Sequence, residues 1–277
     1  MTPLILVTGA TGNTGRHVVA GLLAEGYRVR ALTRDPERAA LPEGADVVAG
    51  DVRRPADVAA AARGATAAYL IWPGTDDEAA GAGEVIEALA RRVGRVVYLS
   101  ATEAEEGGVW GAVERAIRDS VPQWTFLRVS GLAVNALAWS DQIHRGVVRA
   151  PFGRMRRSLV HEQDVAAVAV RALVDDGHAG RSYVLTGPEA ISQIDQVRVI
   201  AEEAEHDAVW EEQTAADARP ALAAEVGEDF ADMILAAWAA SADTPEPVSQ
   251  DVARVLGRPP LTFRQWARDH RADFAAS

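Results

Sequence analysis

Short apolar runs alternate along the first half of the chain with longer segments whose apolar positions recur at helical spacing. The runs Leu4–Val7, Arg28–Thr33, Asp46–Ala49, Ala67–Ile71, Arg95–Ser100 and Trp124–Val129 carry the composition of strands. Between them, His17–Glu25, Ala56–Ala62, Glu78–Val93 and Val113–Asp119 read as helices. This alternation predicts an α/β fold with a doubly wound parallel sheet. In such sheets ligands bind beyond the carboxyl ends of the strands. The positions to watch are therefore Gly9, Arg34, Asp51, Ile71-Trp72-Pro73, Ser100-Ala101-Thr102 and Val129-Ser130.

Past residue 130 the pattern loosens into an apolar segment, Leu132–Trp139, a basic strip, Arg145–Arg157, and a helical stretch, Gln163–Val174. A further strand, Ser182–Leu185, leads through Thr186-Gly187-Pro188 into a helix at Ser192–Glu205, where Ser192 and Asp195 have capping-box spacing. The tail is helical again, broken at Thr244-Pro245-Glu246-Pro247 and Arg258-Pro259-Pro260. The expected organisation is a sheet domain over residues 1–130 and a smaller, mostly helical substrate lobe over 131–277, with some lobe segments returning to the sheet.

The first strand runs directly into Gly9-Ala10-Thr11-Gly12-Asn13-Thr14-Gly15-Arg16, and the helical pattern Val18-Val19-Ala20-Gly21-Leu22-Leu23 follows at once. Glycines at every third position permit a tight bend, close approach of main chain to a pyrophosphate, and close packing of helix on strand. The phosphates then lie over the helix N-terminus. This is a dinucleotide-binding turn of the Rossmann type, and Gly9, Thr11, Gly12, Asn13, Thr14 and Gly15 are its expected cofactor contacts. Its Gly-x-x-Gly-x-x-Gly spacing resembles that of the extended short-chain dehydrogenases.

The second strand ends in Thr33-Arg34-Asp35-Pro36, where the cofactor ribose is read. An acidic side chain here accepts from both ribose hydroxyls, whereas an arginine pairs with a 2′-phosphate and stacks on adenine. Arg34 stands at the expected distance past the glycine turn and favours NADP over NAD. In the other reading Asp35 takes the ribose and Arg34 is a solvated loop cation. Asp51, Val52, Ile71, Trp72, Pro73 and Ser100, at or beside later strand ends, complete the expected cofactor contacts, and Arg16 is a further candidate for the phosphate region.

Composition narrows the function. The 28 basic and 40 acidic residues leave a net charge of −12 with no basic cluster, which argues against nucleic acid as a partner. Cysteine is absent, so disulfides, thiolate zinc sites and a cysteine nucleophile are excluded. The six histidines lack ligand spacing, His161-Glu162 lacks the second histidine of a zincin, and no Gly-x-Ser-x-Gly elbow occurs, so no metal is expected. With no long apolar segment and no basic, apolar leader, the expectation is a cytoplasmic protein without membrane contact.

Several segments in order resemble the NmrA-like branch of the atypical short-chain dehydrogenases. They are Val7 to Gly15, Thr33 to Pro36, Gly50-Asp51-Val52, Val97 to Ser100, Glu114 to Ser120 and Trp124 to Arg128. They continue with Asn135, His161 to Ala166, Gly180 to Pro188 and Leu256 to Pro260. The resemblance implies a Rossmann domain binding NAD(P) and a small lobe covering its nicotinamide end. Functions in the family range from reductases of quinones and other small molecules to redox-sensing regulators that bind the cofactor without turning it over.

Typical members of the wider superfamily use a serine and a Tyr-x-x-x-Lys pair, the lysine lowering the tyrosine pKa for proton donation. Ser100 matches the serine, but the helix reads Trp110-Gly111-Ala112-Val113-Glu114, and none of Tyr27, Tyr69, Tyr98 and Tyr183 has a lysine four positions on. That relay cannot be assembled here. The remaining candidates are Glu114, as a ribose-orienting group or base or else a surface glutamate, and Asn135, as a partner of substrate or nicotinamide amide or else a loop cap. Asp141 and His144 form an acid–base pair on one helical face or a plain surface pair. Trp72, Trp110 and Trp139 wall an apolar pocket or belong to the core. Asp164 reads as a structural acid at a helix N-terminus. The leading expectation is an NADPH-dependent reductase of a small apolar quinone, enone, imine or ketone. The alternatives are an NADP redox sensor and a non-redox cyclase or isomerase.

Overall fold

Two periodicities build the molecule, and both are visible in the computed structural model, which describes residues 2–73, 81–105 and 107–274. In chain order the elements are β1 Leu4–Val7, α1 Gly15–Ala24, β2 Arg28–Thr33, β3 Asp46–Ala49, α2 Pro55–Ala61, β4 Ala65–Ile71, α3 Ala82–Ala90, β5 Arg95–Ala101, α4 Gly108–Ser120 and β6 Gln123–Val129. There follow α5 Ser140–His144, β7 Val147–Ala150, β8 Arg156–Arg157, α6 Glu162–Val174, β9 Arg181–Leu185, β10 Ile191–Ser192, α7 Gln193–Ala204 and β11 Val209–Glu212. The chain closes with α8 Ala215–Val226, α9 Glu228–Ser241, α10 Asp251–Leu256 and α11 Phe263–Asp269. The start of the expected helix at Glu78 lies outside the described residues, and its described part begins at Ala82.

The chain forms two units. The first comprises residues 1–130, 162–185 and 251–258. Its seven strands lie in the order β3-β2-β1-β4-β5-β6-β9, and every pairing is parallel. Strands buried on both faces read as near-continuous apolar runs, as β1 and β4 do. Alternate residues serve opposite faces. Leu4, Leu6, Leu70, Tyr98 and Phe126 join Val58, Ile86 and Val113 of α2, α3 and α4 in one core cluster. Strand order reverses between β1 and β4, which makes the ends of those strands the topological switch point.

The second unit comprises residues 131–161, 186–250 and 259–277. The apolar segment after residue 131 becomes a 3-10 helix at Ala133–Trp139. The basic strip contains β7, paired in parallel with β11, and β8, paired antiparallel with β10, strands that were not legible in the sequence. Its core gathers Val134, Ile143, Val148, Ile200, Phe263 and Trp266. Ser192 caps α7 as expected: its Oγ accepts from the Asp195 amide at 3.0 Å and donates to Asp195 Oδ2 at 2.6 Å.

Candidate functional site

The glycine turn is tied to the switch point from both sides. Thr8 N donates to Tyr69 O of β4, and Ile71 N donates to Thr8 Oγ1 at 2.9 Å. The Tyr69 hydroxyl, fully buried, donates to Thr14 Oγ1 at 3.1 Å, and burial pushes its pKa well above the ordinary phenol value. Within the turn Gly12 N donates to Gly9 O, and Arg16 N donates to Gly12 O. Gly15 sits so close to this loop that a Cβ there would lie 2.1 Å from Gly9 O. Among the described residues none accepts from the amides of Asn13 and Gly15, which stand at the entrance of the ten-residue helix α1. Unpaired amides at a helix N-terminus are the donor set an anionic pyrophosphate requires, so the residues fit a dinucleotide.

At the end of β2 the two readings of the ribose position separate. The Asp35 carboxylate accepts from the Arg38 amide at 3.3 Å and holds its own loop. Arg34 is exposed, and no side chain among the described residues pairs with it. The cation is available and the carboxylate is engaged. Asp51 is also a turn former: its Oδ1 accepts from Arg53 N, and its amide donates to Asp57 Oδ2.

One expected contact needs correction. Trp72 is 6 % exposed within the first core, so its side chain is not presented to a ligand, while Val52 packs half-buried against the same cluster. Trp110 packs there as well. Ile71 and Pro73 flank Trp72 at the end of β4, and Ile71 lies against Gly9.

Ser100 and Glu114 depart most from expectation. Glu114 is buried and not a surface residue. Its Oε1 accepts from Ser100 Oγ at 2.7 Å and from Arg128 Nε at 2.9 Å, and its Oε2 accepts from Arg128 Nη2 at 2.7 Å. Hydrogen bonding to Glu114 raises the Arg128 pKa further. The place where related enzymes carry a proton relay is thus filled by a bidentate ion pair with a serine hydroxyl committed to it. The chain also contains no lysine, since all 28 basic residues are arginine. That count, readable in the sequence, excludes a tyrosine–lysine pair from any segment. Burial and the nearby Glu114 push Tyr98 well above the ordinary phenol value, away from proton donation at neutral pH.

The second unit holds a cavity of about 280 Å³. Trp139, Leu159, Leu222, Leu235 and Trp238 supply its apolar wall. Asn135, Gln142 and Gln213 supply amide groups, and among the described residues nothing bonds the Asn135 or Gln213 side chain. Helices α8 and α9 roof it. Thr214 caps α8 through the Asp217 amide, Arg219 joins the two helices through Asp232 at 2.6 and 2.8 Å and through Glu228, and Gly227 turns the chain between them at φ 92°. Asn135 and Trp139 line this cavity, whereas His144 does not. Its Nε2 lies 2.8 Å from Phe274 O and its ring packs against His206, so it does not line the cavity. Asp164 is buried and accepts from Arg258 Nη2 at 2.6 Å, a structural ion pair. Among the described residues no group of acidic and histidine side chains is placed to hold a metal, and no helix is long and apolar enough to cross a membrane.

A family model described as NAD(P)H-binding matches residues 9–176. A (4-alkanoyl-5-oxo-2,5-dihydrofuran-3-yl)methyl phosphate reductase of Streptomyces griseus is 37% identical, over 98% of this chain and 99% of its own. An NAD(P)H azoreductase of Xenophilus azovorans is 29% identical over 99% of this chain and 100% of its own. In structure, the NADPH-dependent quinone oxidoreductase of Escherichia coli complexed with NADPH matches with a TM-score of 0.81 at 23% identity, over 96% of this chain and 99% of its own.

Proposed function

The chain belongs to the NAD(P)H-binding, NmrA-like branch of the atypical short-chain dehydrogenases, and we propose that it is an NADPH-dependent reductase of small conjugated acceptors such as quinones and enones. One observation carries this reading: the dinucleotide turn and a free Arg34 accompany a site with no lysine anywhere and no accessible phenol. A reductase so equipped suits acceptors that take their proton from water once reduced. The names of the relatives agree, an alkanoyl-oxo-dihydrofuran and an azo compound being conjugated electrophiles.

NADPH, when bound, supplies the hydride from its nicotinamide ring. The chain's own residues do the rest. Amides of the Gly9 to Gly15 turn hold the pyrophosphate, with the Thr11 and Thr14 main chain shaping the loop, and Arg34 takes the 2′-phosphate. Asp51 and the backbone of Val52 border the adenine, and Ile71 and Pro73 border the nicotinamide side of the strand ends. Asn135 holds an acceptor oxygen by its amide, and the tryptophans of the cavity exclude water from the acceptor's apolar body. Ser100, Glu114 and Arg128 brace β5, α4 and β6.

The test is incubation with NADPH and a panel of quinones, enones and imines, followed by nicotinamide absorbance. Acceptor-dependent loss is expected, with Asn135→Ala lowering turnover more than NADPH affinity. If NADPH and NADP bind but no acceptor is reduced, the reductase reading fails. The redox-sensing reading, favoured by the ion pair standing in place of a relay, then replaces it.

A further inference from the structure

The cavity of the second unit has an unusual charge composition. The chain has 40 acidic residues and a net charge of −12, yet no aspartate or glutamate is found among the described residues that line this cavity, and two arginines, Arg149 and Arg157, are. The other polar lining groups are neutral amides. Each of these cations has its carboxylate partner outside the lining, Glu211 for Arg149 and Glu246 for Arg157, so the cavity wall itself presents guanidinium and no carboxylate. A low-dielectric wall of tryptophan and leucine strengthens whatever field those guanidinium groups project.

We infer that the acceptor bound here is an apolar ring or chain carrying an oxyanion, of the carboxylate, sulfonate or phosphate kind, and that Arg149 and Arg157 select it. Arg149 is half exposed, and its Nη2 contacts Glu211 at 2.9 Å. An exposed pair of this sort contributes little and gives way readily to a ligand anion. Arg157 is held more firmly. Its Nε donates to Glu246 at 2.9 Å, while the other Glu246 oxygen accepts from Ser158 N at 3.0 Å. Arg157 is thereby a fixed edge of the cavity and Arg149 an adaptable one. Guanidinium suits oxyanions because its planar fork matches two oxygens at once. The inference rests on the reductase reading only in calling the ligand an acceptor; the selection for charge stands on the cavity alone.

The experiment uses two quinones with the same ring system, a naphthoquinone sulfonate and the neutral methyl naphthoquinone, titrated calorimetrically into the full chain without NADPH. The chain has neither cysteine nor lysine to form adducts with them. The sulfonate should bind at least about tenfold more tightly, the size of one charge-assisted hydrogen bond. Arg149→Met should erase most of that ratio, and Arg157→Met, checked for folding by thermal melting, the remainder. Arg154→Met, outside the lining, should leave it intact. Ala221→Trp, which fills the cavity from α8, should weaken both quinones alike. Equal binding of the two quinones, a preference that survives loss of both arginines, or indifference to Ala221→Trp would each overturn the inference. Should the preference appear while neither quinone consumes NADPH, the charge selection is upheld and only the reductase reading falls.

Discussion

The glycine turn and the cavity are two ways of building a binding site. The turn is made of main chain: its donors are amides, its shape is set by Gly15 lying against Gly9, and it is tied to β4 by Thr8 and Tyr69. The cavity is made of side chains drawn from β7, the 3-10 helix after residue 132, α7, α8 and α9. A main-chain site tolerates almost no change at a few positions. A side-chain site tolerates many changes, each altering what it accepts. Under the proposed function the first arrangement would hold the cofactor and the second the particular acceptor.

Four single substitutions and one double replacement test that contrast, from the largest effect down. Gly12→Val should abolish NADPH binding, measured by fluorescence titration, while the thermal melt stays close to the parent. A Cβ at Gly12 would lie 3.2 Å from Gly9 O, so that oxygen need give by only a few tenths of an ångström, whereas at Gly15 the contact would be 2.1 Å. Retained binding in a folded Gly12→Val protein would reduce the turn to a structural bend.

Glu114→Ala should cost about 3 kcal/mol in urea unfolding, because it leaves the buried Arg128 guanidinium with only the exposed Glu105 carboxylate as a partner. Replacing both partners, Glu114→Leu with Arg128→Met, should recover much of that loss. If the single substitution were neutral for stability but silenced turnover, the ion pair would have to be reinstated as catalytic machinery.

Arg34→Ala should weaken NADPH binding by about 1.5–3 kcal/mol, the value of a hydrogen bond to a charged group, and leave NADH nearly unchanged. Equal affinity for the two cofactors in the parent would return the ribose to Asp35. The smallest stability effect is expected from Arg219→Ala, which removes exposed ion pairs between α8 and α9 and should leave the unfolding midpoint close to the parent's. Protein unfolding followed by circular dichroism measures it, and a loss as large as that of Glu114→Ala would show that the roof is as integral as the sheet.

The same contrast explains what the sequence disclosed. The seven-stranded sheet was legible because buried parallel strands leave continuous apolar runs, and each site residue of the turn is adjacent to the next in the chain. Arg34 was legible as a candidate because a fixed distance along a βαβ unit marks the position that reads a ribose. The environment of Glu114 was not. Its partners Ser100 and Arg128 lie on two other elements, and helical spacing alone does not distinguish a buried glutamate from an exposed one. Trp72 was misplaced for a related reason, since a residue at a strand end is free to turn into the core or toward the crevice. The short strands β7, inside the basic strip, and β11, beyond it, were hidden because each offers only four residues of weak alternation. His144 pairs with a carbonyl 130 positions away, a relation that no local pattern carries.

Helices α8 and α9 bury little of themselves: among the described residues no side chain of α8 is fully buried, and α9 buries only Ala231 and Leu235. Their mutual attachment is an arginine at the surface, and Gly227 is the sole residue between them. An element with so few internal obligations is exchangeable. Residues 214–241 form a cassette that can drift, or be transplanted from a relative, with few compensating changes elsewhere. Divergence of substrate range within a lineage would then concentrate in this stretch and not in the glycine turn.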